Sequence, residues 1–485
     1  MSLIYDKFIA ASPRHTRVRT PVTSLLIHGA VLLLWLAVLV RAVMPGGLLA
    51  WSSGLAYAFY DTSLLGFTTW QTWVLLRPAA AAAAHARPGL AVIIAAHNEA
   101  AGLPATISAL LRQTDRPDLI LVADDGSTDA TEAALSPFGL AQPGPGALAE
   151  STTTPGLRWL RLPRGGKAAA LNAALAYVTS EIVVSVDADT LAAPGAITSM
   201  RAAFAADPGL VAATGVLTPL CAPGLAGRVF AWFQTYEYIR NFLSRFAWMQ
   251  ADALLLISGA FAGFRRQAVL DVGGFDQDCL VEDYELIHRL RRYGVAKGLQ
   301  WHTAVLGQCR ATTDAPATAV AFLRQRRRWF GGFLQTQFWY RDMVGNPAYG
   351  RLGTWMLPVK AADTLQPLFG LTALAVLLVA LAHGNLAILL PAGGVIGAKI
   401  GIDLCFHLWS VHLYRRWTGE AATGSFAYAL LAALLEPFSF QFLRHAGAAW
   451  GWFTFLTGTA SWGAPARINE KGWGGEAPPQ TPAAI

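Results

Sequence analysis

Apolar positions along this chain fall into three textures. Long unbroken apolar runs occupy residues 22–40 and 48–76 near the start, and 365–382, 386–409 and 426–442 toward the end. Each reaches, or nearly reaches, the ~20 residues that a hydrocarbon core requires. From residue 90 to about 298, short β-rich runs alternate instead with alanine-rich stretches. That alternation predicts an α/β domain with a mostly parallel sheet. Strands are expected at 90–95, 119–123, 157–160 and 182–186. The third texture, 318–344, mixes Phe322, Trp329, Phe330, Phe333, Phe338 and Trp339 with five arginines. It predicts amphipathic helices lying at the headgroup level.

These textures divide the chain into seven parts. They are a tail (1–21), two spans (22–77), a linker (78–89), the α/β domain (90–317), interface helices (318–350), C-terminal spans (351–462) and a second tail (463–485). Arg14, His15, Arg17 and Arg19 precede the first span, which places both the N-terminus and the α/β domain in the cytoplasm. The first apolar stretch runs on too far for a secretory signal and is expected to be retained. Met44-Pro45-Gly46-Gly47 reads as a tight outer turn. Residues 446–460 are short for a span and read as re-entrant or interfacial, which leaves the count of C-terminal crossings open by one. Asp61, Lys399, Asp403 and Glu436 fall inside apolar runs. Lys399 and Asp403, four apart, are expected to pair, and Asp61 to sit at an aqueous edge or against another helix.

Composition agrees with a membrane protein. Hydrophobic residues make up 54% and charged residues 14%, where soluble domains carry about a quarter charged. The net charge of +7 suits cytoplasmic Lys/Arg and anionic lipid headgroups. No nucleic-acid-binding motif accompanies it, so nucleic acid is not an expected partner. Cys221, Cys279, Cys309 and Cys405 form no CxxC, so neither zinc nor a disulfide framework is expected.

The candidate chemistry lies at strand ends. In open α/β sheets ligands bind beyond the carboxyl ends of strands. Asn98 and Glu99 follow the first expected strand, and Asp124-Asp125-Gly126-Ser127 ends the second. Such carboxylates can accept hydrogen bonds from a base or ribose, although a turn with an Asp cap has the same composition. Lys167 opens a helical stretch after Arg164-Gly165-Gly166 without the GK[ST] ending of a phosphate loop; its charge can still hold a diphosphate. The fourth strand ends in Asp187-Ala188-Asp189. Two carboxylates at that spacing can hold Mg²⁺ or Mn²⁺ and leave positions for diphosphate oxygens.

Ser258 and Gly259 are small enough to let a ligand approach the backbone. Glu282 and Asp283 open a further helix, where acidic residues ordinarily cap. Asp283 is the candidate general base for an acceptor hydroxyl. Gln325, Arg328 and Trp329, in the run Gln325-Arg326-Arg327-Arg328-Trp329, offer an amide and guanidinium for a diphosphate and an indole for a sugar face.

In that order the motifs resemble the membrane-integrated family 2 inverting glycosyltransferases, the group of cellulose, hyaluronan, chitin and poly-N-acetylglucosamine synthases. The resemblance runs from about residue 90 to 332. It implies a GT-A-type, Rossmann-like domain inserted between transmembrane helices, in a bacterial-type inner membrane. It implies that Asp125, with Asp124 as substitute, contacts uridine, and that Lys167 lies near the diphosphate. Asp187 and Asp189 would bind nucleotide and metal, and Asp283 would act as base. Gln325, Arg328 and Trp329 would hold the diphosphate and the acceptor sugar. A UDP-sugar donor, a glycan or lipid-linked acceptor and membrane lipids are the implied partners. Ser258-Gly259-Ala260 and the Gln325–Gly332 run look most similar to poly-N-acetylglucosamine and chitooligosaccharide synthases. Val281 and Tyr284 depart from the processive pattern around Glu282-Asp283. A ceramide-glucosyltransferase-like single transfer therefore stays beside processive synthesis as a reading, and a non-catalytic nucleotide-sugar sensor or transporter is the third.

Overall fold

In the computed structural model, described for residues 2–16, 18–42, 44, 47–77, 87–420 and 424–458, all four expected strands form. The strands are β1 (Leu90–Ala96), β2 (Leu119–Asp125), β3 (Leu148–Glu150), β4 (Leu157–Leu162), β5 (Ile182–Asp187), β6 (Thr190–Ala192), β7 (Leu210–Leu220), β8 (Phe261–Arg265) and β9 (His302–Asp314). They make one sheet in the order β3-β4-β2-β1-β5-β8-β7-β9-β6. β4, β2, β1 and β5 are parallel neighbours, and their apolar runs are buried on both faces, as helix-covered strands require.

The expectation of a mostly parallel sheet needs correction. β5–β8, β8–β7, β9–β6 and β3–β4 pair antiparallel, so only half of the neighbour pairs are parallel. The five unforeseen strands are short or weakly patterned. β9 buries alternate residues along its length, and β7 carries Gly215 and Pro219. β8, β7, β9 and β6 build the half of the sheet on which the α/β domain meets the long helices, while β3 extends the opposite edge.

Two long helices make that junction. Ala319–Trp339 is the expected interface helix. Leu225–Gln250, 26 residues long, is not anticipated in the sequence; its eight aromatic residues and its Leu, Ile and Val positions follow no clean stripe because several neighbours cover it. Phe230, Phe322, Phe233 and Phe440 stack between the two helices and the last C-terminal helix, so the sheet core continues into the helical region without a polar break.

Among the described residues, three helices are long and apolar enough to cross a membrane: Val22–Ala42, Leu352–Ala382 and Leu386–Thr418. Phe426–Phe438 and Phe440–Thr457 form a pair bent by 51°, a fourth span if the two are one broken crossing. The break follows Glu436-Pro437 instead of falling between the expected runs at 442 and 446. The expected second span is helical over Ser52–Thr72. Asp61 and its many Ser and Thr residues keep it out of the apolar class, and it packs on Leu357–Ala382 and Leu386–Thr418. Linker residues 78–86, Pro45 and Gly46 of the expected outer turn, and the tail 463–485 lie outside the described residues.

The intramembrane charges are paired. Lys399 holds Asp403 and also Asp61, at 2.7 Å, so the two helices share one three-charge group. Glu436 accepts from Arg240 and Arg444, each at 2.7 Å. Arg444 lies 3.9 Å from Glu237, whose other oxygen accepts from Arg326 at 2.8 Å. One chain of alternating charge therefore runs from the interface helix into the membrane-side bundle.

Candidate active site

The register of the parallel strands brings the acidic motifs to one edge. Ala96 lies opposite Asp124, and Ala95 opposite Asp187. The turn after β1 is tied to the turn after β2. Asn98, in the left-handed region at φ 53°, donates its N–H to Ser127 Oγ (2.9 Å) and accepts from Thr128 N (2.6 Å). Asp124 is buried and accepts from Ser127 N (2.8 Å) and Trp159 Nε1 (3.3 Å). Asp125, also buried, accepts from the Gly165 N–H (2.6 Å), the Gly166 N–H (3.0 Å) and Arg164. Both carboxylates shape loops, and Asp125 fixes the segment that leads into Lys167.

Lys167 begins the helix Lys167–Leu175 behind Gly166, whose φ of 92° suits glycine. Its ammonium pairs with Asp187 and lies 3.6 Å from Glu282. Burial opposes its charge, but Asp187 and Glu282 together raise Lys167 above the ordinary lysine range. Burial pushes the Glu282 carboxyl up; Lys167 works against that shift and Asp283 adds to it. Asp189 is pushed up to about 8 by burial, then by Asp187, Asp314 and Glu99. Four carboxylates thus crowd the end of β5, with Lys167 as the cation that offsets them.

The tripeptide Ser258-Gly259-Ala260 bridges the end of β5 and the start of the Glu282–Ala296 helix. Ala260 O accepts from Asp187 N at 3.1 Å, and Gly259 N donates to Asp283 Oδ2 at 2.6 Å. Ser258 N donates to Thr214 Oγ1 at 3.3 Å, a β7 residue the sequence reading did not single out. Asp283 Oδ1 also accepts from Tyr284 N at 2.8 Å. The rest of its helix, Glu282–Ala296, is anchored by the fully buried pair Glu285–Arg289 (2.7 Å) and by Tyr340 OH on Glu285.

The interface helix roofs this site. Arg328 donates to Leu280 O at 3.2 Å, just before Val281 and Glu282. Gln325 Oε1 is buried without a hydrogen-bond partner among the described residues. Trp329 lies under the Arg326 guanidinium, 4.4 Å from its ring centre, while Arg326 itself points to Glu237. Val281 packs against Gly332 of the roof, and the Tyr284 ring lies between His288 and Phe333. Both departures in the acidic motif are thus packing contacts. Glu237, which bonds Arg326 of the roof, and Arg245, which feels the charge of Asp283, both lie on Leu225–Gln250; they were missed because nothing in that aromatic run marks it as a neighbour of the site.

The sheet order, with acidic residues gathered at the ends of its parallel strands, is that of a GT-A-type fold. Residues 91–273 match the family model described as Glycosyl transferase family 2. That match ends before Glu282, Asp283 and the Gln325–Trp329 run. The chain is 28% identical over 247 residues to the poly-beta-1,6-N-acetyl-D-glucosamine synthase of Staphylococcus aureus (strain COL), covering 50% of this chain and 54% of that one. It is 27% identical over 262 residues to the synthase of the same name from Staphylococcus epidermidis, covering 52% and 57%. It thus spans about half the length of the curated relatives it matches. Among solved structures, the mannosyltransferase PcManGT from Pyrobaculum calidifontis, in complex with GDP-Man and Mn²⁺, shares the fold. Its TM-score is 0.54 at 22% identity, over 80% of this chain and 99% of that one.

Proposed function

We propose that the chain is an inverting glycosyltransferase that moves a sugar from a UDP-sugar to a growing β-linked glycan at the membrane surface. The observation that carries this reading is the Ser258–Ala260 bridge. It joins Asp187, at the nucleotide end, to Asp283, at the acceptor end, through two backbone hydrogen bonds of 3.1 and 2.6 Å.

Asp283 takes the proton of the acceptor hydroxyl as that oxygen forms its bond to the anomeric carbon. The bond from that carbon to the diphosphate oxygen breaks on the opposite face, and nucleoside diphosphate leaves. Lys167, Arg328 and Gln325 serve the diphosphate, and Trp329 the acceptor sugar. Asn98, Glu99, Asp124 and Asp125 form the nucleotide end of the site.

Asp187 and Asp189 would hold a divalent cation, Mg²⁺ or Mn²⁺. The crowding of carboxylates that pushes Asp189 up to about 8 fits a hard cation. When bound, the metal supplies charge neutralisation for the departing diphosphate. The mannosyltransferase with the same fold was solved with Mn²⁺.

The polar chain Arg326–Glu237–Arg444–Glu436 supports a product that stays docked at Trp329 and leaves between the helices, with the catalytic domain on the cytoplasmic face of an inner membrane. Single transfer to a lipid acceptor is the alternative, supported by the apolar helices that flank the acceptor end. Nucleotide release by purified protein, with a panel of UDP- and GDP-sugars and each metal, tests the class. Product length separates a polymer from a single transfer. Full activity in Asp283→Asn would remove Asp283 as the base.

A further inference from the structure

We infer that the cavity between the N-terminal segment and the end of the interface helix is a headgroup site for an anionic phospholipid that carries hydroxyl donors. The cavity holds about 630 Å³ and is walled by Arg14, Arg19, Trp339, Arg341 and Asp342. Two of its charges are already matched. Arg14 makes a two-point bond to Asp276, at 2.7 and 2.6 Å, and stacks on Trp339. Asp342 Oδ2 accepts from Arg292 Nε at 2.9 Å.

Two guanidiniums remain without a carboxylate. Arg19 makes no hydrogen bond or ion pair among the described residues. Arg341 uses Nε on Thr20 (2.9 Å) and Nη1 on Phe338 O (2.8 Å), both neutral groups. A phosphodiester matches that surplus, and arginine suits its geometry.

A second observation narrows the ligand. Asp342 is 6% exposed, and its Oδ1 is buried with no donor among the described residues. A buried acceptor left unpaired is costly, so a donor is called for. A phosphodiester whose headgroup also bears hydroxyls supplies both.

The position selects a lipid over a soluble phosphate ester. Thr20, the partner of Arg341, lies two residues before the apolar helix Val22–Ala42. Val22, Leu25 and Leu26 are 70%, 62% and 66% exposed on its first turns, apolar surface that acyl chains can cover.

The same segment rests on the catalytic domain. Phe8 contacts Gly273 and lies 4.6 Å under the Arg289 guanidinium. The Gly273–Asp276 loop is held in turn by Asn172, which bonds both main-chain groups of Phe275 at 2.8 and 2.7 Å and belongs to the Lys167 helix. A lipid in the cavity would hold the N-terminal segment on the back of the donor site. The inference does not depend on the proposed transfer chemistry.

The test uses the full chain in nanodiscs of phosphatidylcholine with and without phosphatidylglycerol, and counts retained lipids by native mass spectrometry. Wild type is expected to retain phosphatidylglycerol over phosphatidylcholine by about tenfold or more. The Arg19→Gln/Arg341→Gln variant is expected to lose that preference, with an unchanged melting temperature, while Arg112→Gln on the catalytic domain keeps it. Equal retention of the two lipids by wild type, or unchanged preference in the double variant, overturns the site. Displacement of the lipid by glycerol 3-phosphate would assign the cavity to a soluble ester and overturn the lipid as its occupant.

Discussion

Asp283 accepts the Gly259 N–H at 2.6 Å, and a Cβ built on Gly259 would lie 2.9 Å from the same carboxylate oxygen. A side chain at position 259 fits only if that carboxylate moves.

Gly259→Ala should therefore displace Asp283 while leaving the donor end intact. The expected result is a fall in kcat of about 10- to 100-fold with donor KM little changed, since misplacing a reacting group by about 1 Å costs on the order of 100-fold. Asp283→Asn should cost about 100- to 10,000-fold, the range for a lost general base. Nucleotide-release kinetics on both variants check this. A Gly259→Ala enzyme with a raised KM and an unaltered kcat would separate Gly259 from the base.

The donor half of this site was legible in the sequence for a physical reason. Each acidic pair ends a continuous apolar strand, and parallel register carries such ends to one edge, as the pairing of Ala96 with Asp124 and Ala95 with Asp187 shows. The acceptor half was legible only as motifs. Thr214 sits in a strand interrupted by glycine and proline, and Glu237 lies in an aromatic helix with no clean stripe, so neither carries a local signal. Arg326, Arg327 and Arg328 look equivalent in sequence. Their direction around the helix separates them: Arg328 reaches Leu280 O, Arg327 stacks on Trp450, and Arg326 turns to Glu237.

Lys167 pairs with Asp187 and lies 3.6 Å from Glu282. Lys167→Met leaves Glu282, already pushed up by burial, with less reason to ionise. If Lys167 also serves the diphosphate, donor KM should rise by about tenfold or more, equivalent to about 1.4 kcal/mol of lost binding. A titration of initial rate against donor concentration reads it. An unchanged donor KM with only a lower melting temperature would confine Lys167 to a structural role.

Gly332 fixes the roof. An added Cβ would lie 2.8 Å from Val281 Cγ1, a stiff β-branched side chain with no free end to swing away. Gly332→Ala should destabilise by about 1–3 kcal/mol, the usual cost of overpacking. Val281→Ala in the same chain should recover much of that loss. Additive effects in a double-mutant cycle of thermal stability would contradict the contact.

Asp118 ties the start of the sheet together and predicts an acid-sensitive edge. It accepts from Leu90 N (2.7 Å), Arg201 (2.8 Å) and Arg87 (2.8 Å). Burial works against its charge, but the Leu90 N–H, then Arg201 and Arg87, lower its carboxyl to about 2. A depressed carboxyl contributes stability that is present above its unfolded value near 4 and disappears as pH falls through about 2. Wild-type stability should therefore decline over that window. Asp118→Asn should be less stable at neutral pH and show a flatter profile between pH 4 and 2, read by denaturant unfolding in each buffer. Parallel profiles for the two proteins would refute the assignment.

Arg326 tests whether the roof is anchored from the membrane side. Its guanidinium and Glu237 are 5% and 4% exposed at the side chain, bonded at 2.8 Å, and Arg444 approaches the same carboxylate. Removing one partner of a buried pair strands the other charge, at a cost of about 3–5 kcal/mol. Arg326→Met should lose that much, whereas Arg326→Met/Glu237→Gln should regain a large part, because the stranded carboxylate is gone. Arg328→Gln, whose partner is a main-chain carbonyl, should leave stability nearly intact and lower turnover instead. Equal melting temperatures for Arg326→Met and Arg328→Gln, with equal loss of turnover, would show that the run acts as one undivided anion site. The split outcome would show that neighbouring arginines divide anchoring from binding by their direction around a single helix.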